Sequence, residues 1–200
     1  VHAAFGLRFD VGGEKMFLVN HLGELIPDPT VCAALVELTL RAHPGGEIVV
    51  PANASRGIEL IAQKYDGKVR YTKMDPTALM ASANQPGVLM AGDGTGQFVF
   101  PEFQSAVDAL FAFAKLMEML AVQQTSLADV LNGLPPMAVH HMDVACEWEA
   151  KGKIMRQLNG QYKAHKGQQV DGLKIELGDE WVLVVPDPDE PLCHIYAESG

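Results

Sequence analysis

"EIVVPANASRGIELIAQKYDGKVRYT", residues 47–72, decides the fold class. "EIVVP" is a short β-branched run, "ASRGIELIAQKY" puts Ile58, Ile61, Ala62 and Tyr65 on one helical face, and "KVRYT" returns to strand. The alternation continues with "DPTALMASAN" as helix and "GVLMAG" and "GQFVF" as strands. Short apolar strands separated by amphipathic helices predict a largely parallel α/β layer. Asp75 is the predicted N-cap of the second helix, with Pro76 at the first helical position, where a missing N–H costs nothing.

Downstream, "SAVDALFAFAKLMEMLA" predicts a long helix with a capping-box-like start at Ser105 and Asp108. Its apolar residues, among them Leu110, Phe113, Leu116, Met117 and Leu120, cover more than one stripe, so burial on two sides is expected, by its own sheet and by a neighbouring domain. Upstream, "AAFGLRF" and "KMFLVN" read as strands around a Gly-rich turn, and "DPTVCAALVELTLRA" as a helix with Val31, Ala34, Leu35 and Leu38 on one face, stopped by "HPGG". After "QQTS" the composition changes: a short helix, a strand, a helix and three strands predict a small antiparallel α+β domain. The expected divisions are 1–46, a partial domain; 47–121, a three-layer α/β/α domain; and 122–200, the α+β domain. Residues 1–46 carry apolar faces, so they are expected to pack on the α/β layer or on a second subunit, making a homo-oligomer the expected state.

With 48% hydrophobic and 20% charged residues, the 200-residue chain is of ordinary globular composition. A formal net charge of −10 argues against sequence-independent nucleic-acid binding, which needs clustered Lys and Arg. Cys32, Cys146 and Cys193 are odd in number and far apart, the pattern of buried free thiols in a reducing cytoplasm. No run approaches the ~20 apolar residues that span a bilayer, so no membrane role is expected. The chain opens on Val1 directly into strand-like sequence, and it is expected to be a fragment of something longer.

Three loops hold candidate chemistry. "FDVGGEK", residues 9–15, sets Asp10 and Glu14 around two glycines: a hairpin turn, or a hard-oxygen loop for Mg²⁺. "AGDGTGQ", residues 91–97, joins two strands; Asp93 and Thr95 suit the hydroxyls of a polyol, and the loop opens no helix as a dinucleotide fingerprint would. "PDPDEP", residues 186–191, has three carboxylates and two prolines, a poor nest for an anion and a good rigid turn. His140 and His141 are adjacent in a strand-like run, point to opposite faces, and so are wrong for sharing a metal.

In order, strand–"DVGGEK"–strand, "GDGTGQ" and "PDPDEPLCHIYAE" resemble the latter part of the α-D-phosphohexomutase superfamily, the phosphoglucomutase and phosphomannomutase relatives. That family arranges four domains around one site: a phosphoserine domain, a D-G-D-G-D-R metal loop, a G-E-x-S-G-H-like sugar loop and an R-x-S-G-T-E-P phosphate loop. The resemblance implies that 1–46 is the end of the second domain, 47–121 the third and 122–200 the fourth. It places Asp10 at the first metal aspartate, Gly12 at the second, Glu14 at the third and Lys15 at the arginine. It implies sugar contacts from Lys73, Gly92, Asp93, Thr95, Gly96 and Gln97, with Gln97 replacing the histidine. In the phosphate loop Val185 stands for the arginine, Asp187 for serine, Pro188 for glycine and Asp189 for threonine; only Glu190 and Pro191 agree.

"GQFVFPEFQSAVDALFAFAKLMEML" resembles mutase-like regions attached behind sugar-1-phosphate nucleotidylyltransferases such as mannose-1-phosphate guanylyltransferase. The resulting expectation is a phosphohexomutase-like fragment from sugar-phosphate or nucleotide-sugar metabolism, with altered Mg²⁺ and phosphate loops, a sugar phosphate as ligand and no mutase activity on its own. Two alternatives stand beside it. One is part of an active phosphomannomutase or phosphoglucomutase; the other is a non-catalytic assembly or regulatory module of a sugar-1-phosphate nucleotidylyltransferase, and the expected partners are upstream mutase or nucleotidyltransferase domains of the parent protein.

Overall fold

The computed structural model describes residues 3–165, 167 and 169–199. The chain divides into two compact units, 1–137 and 138–200. In the first, β1 (Gly6–Phe9) and β2 (Met16–Val19) form an antiparallel hairpin, followed by α1 (Asp28–Ala42). The repeating layer comprises β3 (Glu47–Pro51), α2 (Gly57–Lys64), β4 (Lys68–Thr72), α3 (Pro76–Ala83), β5 (Val88–Gly92) and β6 (Phe98–Val99). Helices α4 (Ala109–Val122) and α5 (Leu127–Asn132) complete the unit.

The sheet order is β4-β3-β5-β6, parallel except for the β5–β6 pair. The β3-to-β4 crossover runs one way across the sheet and the β4-to-β5 crossover runs back, so crossovers of one hand must put α2 and α3 on opposite faces. They do. Period-two alternation sends Val49, Ala91 and Val99 to α3, where they meet Leu79 and Ala83. Ile48, Val50, Met90 and Phe98 point the other way, into a larger core with α1, α2 and α4. The predicted three-layer α/β/α arrangement is the one observed.

Helix α1 differs from its sequence reading. Every residue from Val31 to Leu40 is buried, because β2, α2, α4, α5 and β5 surround it. Complete burial of each leucine, Leu35, Leu38 and Leu40, is worth about 1.5–3 kcal/mol relative to exposure. Glu37, buried among them, is matched by Arg41 at 3.0 Å, Lys64 at 2.8 Å and the Tyr65 hydroxyl at 2.6 Å. Burial works against its ionisation, but these three donors overcome it and hold the carboxyl below its ordinary range.

The first compact unit extends on both sides of the α/β layer, and the packing of residues 1–46 on that layer is one of the two expected placements. Residues 1–46 pack into the first unit: Met16 and Leu18 are fully buried, and Phe5 and Phe9 meet Phe113 edge-on. Past residue 122, Leu127 and Val130 of α5 belong to the same core, so the compact unit runs to Met137. The start of α4 is also refined. Asp108 alone caps it, accepting from the Phe111 amide at 2.8 Å, while Ser105 lies upstream with its carbonyl bonded to Asn84. One stripe of α4, Ala109, Ala112, Leu116, Met119 and Leu120, faces the core; Leu110, Met117 and Val122 stay exposed.

The second unit is an antiparallel sheet ordered β7 (Val139–Ala145), β10 (Leu192–Glu198), β9 (Glu180–Pro186), β8 (Leu173–Leu177). Helix α6 (Trp148–Gln161) sends Ala150, Met155 and Leu158 against Cys146, Val182, Val184 and Cys193. This is the small antiparallel α+β domain the sequence predicts. Among the described residues, no helix is long and apolar enough to cross a membrane.

Candidate functional site

In an open α/β sheet, ligands bind beyond the carboxyl ends of the strands. Here that edge carries the segments after β3, β4 and β5, and the last of these is the 93–97 loop. Asp93 organises it: Oδ1 accepts from the Thr95 amide at 2.7 Å and the Gln97 amide at 3.0 Å, and the Thr95 hydroxyl bonds Oδ2. Thr95 is exposed, Asp93 half-buried, and Gly96 and Gln97 are buried.

The 10–15 turn lies against this loop. Met16 N donates to Gly96 O at 3.0 Å, Lys15 and Gln97 form an antiparallel bridge, and Lys15 Nζ reaches Thr95 Oγ1 at 3.2 Å. Gly96 makes this approach feasible, and Gly92 lets the start of the loop pack on α1. Gly96 has φ +100°, and a Cβ there would sit 3.0 Å from Met16 O; at Gly92 a Cβ would meet Cys32 Sγ at 2.7 Å. The Gly13 carbonyl accepts from the Ala109 amide at 3.0 Å, joining the turn to the start of α4.

Among the predicted sugar-loop residues, Gly92, Asp93, Thr95, Gly96 and Gln97 are therefore together, with Lys15 added. Lys73 is exposed, one residue past the end of β4 at the same edge. Sequence reasoning missed Asp28, at the first position of α1. Burial raises its carboxyl above the ordinary range, neighbouring Asp93 adds to this, and its Oδ1 is buried without a hydrogen bond. No signal within "DPT" separates this residue from an ordinary helix start. With both Asp93 oxygens engaged within the loop and Asp28 Oδ1 buried, the groups with hydrogen-bonding capacity left for a polyhydroxylated ligand are the exposed Thr95 hydroxyl and the Lys15 ammonium.

Asp10 behaves as a turn residue. Its Oδ1 accepts from the Glu14 amide at 2.8 Å and the Lys15 amide at 2.9 Å, and the Lys15 amide is foremost in holding the carboxyl below its ordinary range. The donor set does not fit a dedicated Mg²⁺ site: one oxygen of Asp10 is engaged, Glu14 is exposed, and Gly12 between them offers no side-chain ligand. Space is not the obstacle. A Cβ at Gly12 would meet Glu14 Cγ at 3.6 Å and Asp10 Oδ2 at 3.7 Å, ordinary contacts.

In the second unit, the 186–191 loop folds around Asp187. Its Oδ1 accepts from the Asp189 amide at 2.7 Å and the Glu190 amide at 2.6 Å, and its Oδ2 lies 2.9 Å from His194 Nε2. The Asp189 amide, then His194, hold Asp187 below the ordinary carboxylate range. Lys151 donates to the Asp187 carbonyl at 2.6 Å and to the Glu190 carbonyl, with its ammonium 3.8 Å from the Trp148 ring centre. Glu190 itself is exposed, and Val185 is buried. The three cysteines are free and buried, and burial pushes the Cys32 thiol up to about 12.

Residues 28–137 match the family profile described as phosphoglucomutase/phosphomannomutase, alpha/beta/alpha domain III. A probable phosphoglucosamine mutase of Methanopyrus kandleri is 26% identical over 199 residues, covering 98% of this chain and 44% of the relative. A phosphoglucomutase/phosphomannomutase of Thermococcus kodakarensis is 24% identical over 198 residues, covering 98% and 43%. Among solved structures, a phosphoglucomutase/phosphomannomutase family protein of Burkholderia thailandensis superposes with TM-score 0.80 at 23% identity, over 100% of this chain and 43% of its own. Aspergillus fumigatus N-acetylphosphoglucosamine mutase, crystallised with GlcNAc-6P and magnesium, gives 0.61 at 12% identity, over 96% and 48%. The chain spans less than half the length of these relatives. With more than half of its residues matched to the third domain, the chain belongs to the phosphoglucomutase/phosphomannomutase family.

Proposed function

We propose that this chain is a phosphohexomutase-derived region of a protein of sugar-phosphate metabolism, retaining a sugar-binding loop at 93–97 but lacking working metal and phosphate loops. One observation carries the reading: the Asp187 carboxylate already occupies the loop amides of Asp189 and Glu190. An anion nest needs such N–H groups free, and here a built-in anion fills it. Phosphoryl transfer depends on positioned cationic groups and metal to offset phosphate charge, and this loop offers carboxylates instead. The sugar loop, by contrast, keeps a shaped turn with an exposed hydroxyl and a lysine beside it.

Amide-resolved NMR with glucose 1-phosphate or mannose 6-phosphate tests this directly. Shifts confined to residues 93–97 and Lys15 support the reading. Shifts at the Asp189 and Glu190 amides, or none at 93–97, overturn it.

The exposed residues of α4 favour a second, compatible role as an assembly surface. Leu110 and Met117 lie two turns apart on one face of the helix, and Phe103 stacks on Phe111 at 4.1 Å nearby. Its partner would be an upstream mutase-like or nucleotidyltransferase domain of the parent protein, or a second copy. Sedimentation of the full-length protein checks this: Leu110→Glu with Met117→Glu reduces association, and an unchanged profile rules the surface out.

A further inference from the structure

On the sheet of the second unit, His141 and Asp143 are two apart on β7 and share a face. The β10 register sets His194 opposite Asp143 and Tyr196 opposite His141. Asp143 Oδ1 is 2.9 Å from His141 Nε2 and 2.7 Å from His194 Nδ1. One ligand atom from each of the three residues falls within 4.8 Å of the others. We propose that His141, Asp143 and His194 form a binding site for a divalent first-row transition cation, of which Zn²⁺ is the probe.

The donor set is two imidazole nitrogens and one carboxylate, a combination that suits Zn²⁺, Co²⁺ or Ni²⁺ and not Mg²⁺. Each imidazole is oriented from outside the triad. His194 Nε2 is 2.9 Å from Asp187 Oδ2, so a proton on Nε2 directed at that carboxylate leaves Nδ1 facing the other two donors. His141 stacks on Tyr196 with ring centres 4.5 Å apart and planes at 15°. Asp143 and Asp187 flank His194 at 2.7 and 2.9 Å with negative charge, so the site favours a bound cation. Bonds of about 2.0–2.1 Å to nitrogen need only small side-chain movements, and the exposed outer side leaves positions for water. The site is unrelated to the 10–15 turn and rests on none of the function proposed above.

The test is calorimetric Zn²⁺ titration of the untagged, metal-stripped chain, with Co²⁺ absorption and histidine-ring NMR in parallel. One equivalent should bind saturably, unaffected by excess Mg²⁺, with the His141 and His194 ring resonances moving and that of His140 staying. His141→Ala and His194→Ala should each weaken binding by at least about tenfold, and Asp187→Asn by about 10–100-fold. His140→Ala, on the opposite face of β7, and Cys146→Ser should leave it unchanged. The absence of saturable binding, unmoved His141 and His194 rings, or full affinity in His194→Ala would each overturn the site.

Discussion

Gly96→Ala tests the junction of the 10–15 and 93–97 loops, and Gly94→Ala is its internal control. Both glycines have positive φ, +100° and +73°, but a Cβ at Gly94 meets nothing within 4 Å, while one at Gly96 comes 3.0 Å from the backbone oxygen of Met16. The control therefore carries only the conformational cost of a left-handed alanine, about 1–2 kcal/mol. Gly96→Ala adds a tight contact that the Met16 backbone must relieve by a few tenths of an ångström, a cost of the overpacking kind, about 1–3 kcal/mol more. In a protein of this size each kcal/mol moves the melting midpoint by about 2–4 °C, so Gly96→Ala should melt at least ~2 °C below Gly94→Ala. Differential scanning calorimetry measures both, and NMR should show the Met16-to-Gly96 hydrogen bond disturbed only in Gly96→Ala. Equal melting of the two variants would refute the close approach as the reason for glycine at 96.

Three further outcomes are expected. Glu37→Gln should lower stability at pH 7 by about 1.5 kcal/mol in urea titrations, the low end for a charged hydrogen bond because Lys64 and Arg41 reach water. Because the folded Glu37 carboxyl is held below its ordinary 4.5, its contribution is present above that value and is lost as pH falls through the folded value; the variant should show a smaller acid loss than the parent. Gly12→Asp, placed where space allows a third carboxylate between Asp10 and Glu14, should confer Mn²⁺ binding, detectable by paramagnetic line broadening, that the parent lacks. Cys32, fully buried with its thiol raised to about 12, should resist a thiol reagent at pH 8 in the folded chain and react after unfolding in urea.

The α/β layer was legible because short apolar strands and amphipathic helices alternate from Glu47 to Val99, and the Asp75–Pro76 cap appears as predicted. The sequence was less informative where burial exceeds one face. Helix α1 shows an apolar stripe, yet Glu37 and Thr39 are enclosed too, because neighbours distant in sequence supply Lys64 and Tyr65 to the carboxylate. The extent of the first compact unit is less legible for a similar reason: composition changes after residue 122, but Leu127 and Val130 still face the earlier core. The His141–Asp143–His194 cluster shows the limit of local reading. Adjacency of His140 and His141 argued against a shared metal, whereas β7–β10 pairing brings in a histidine 53 positions away. Its only trace in sequence was the alternation His141-x-Asp143 and His194-x-Tyr196, legible once those strands are paired.

The measurement that bears most directly on the central claim is conversion of a hexose 1-phosphate to its 6-phosphate by the full-length protein, with and without Mg²⁺. With the Asp189 and Glu190 amides bonded to Asp187 and no side-chain ligand at Gly12, no metal-dependent turnover is predicted, and Asp10→Asn should change nothing. Mg²⁺-dependent turnover abolished by Asp10→Asn would contradict the account.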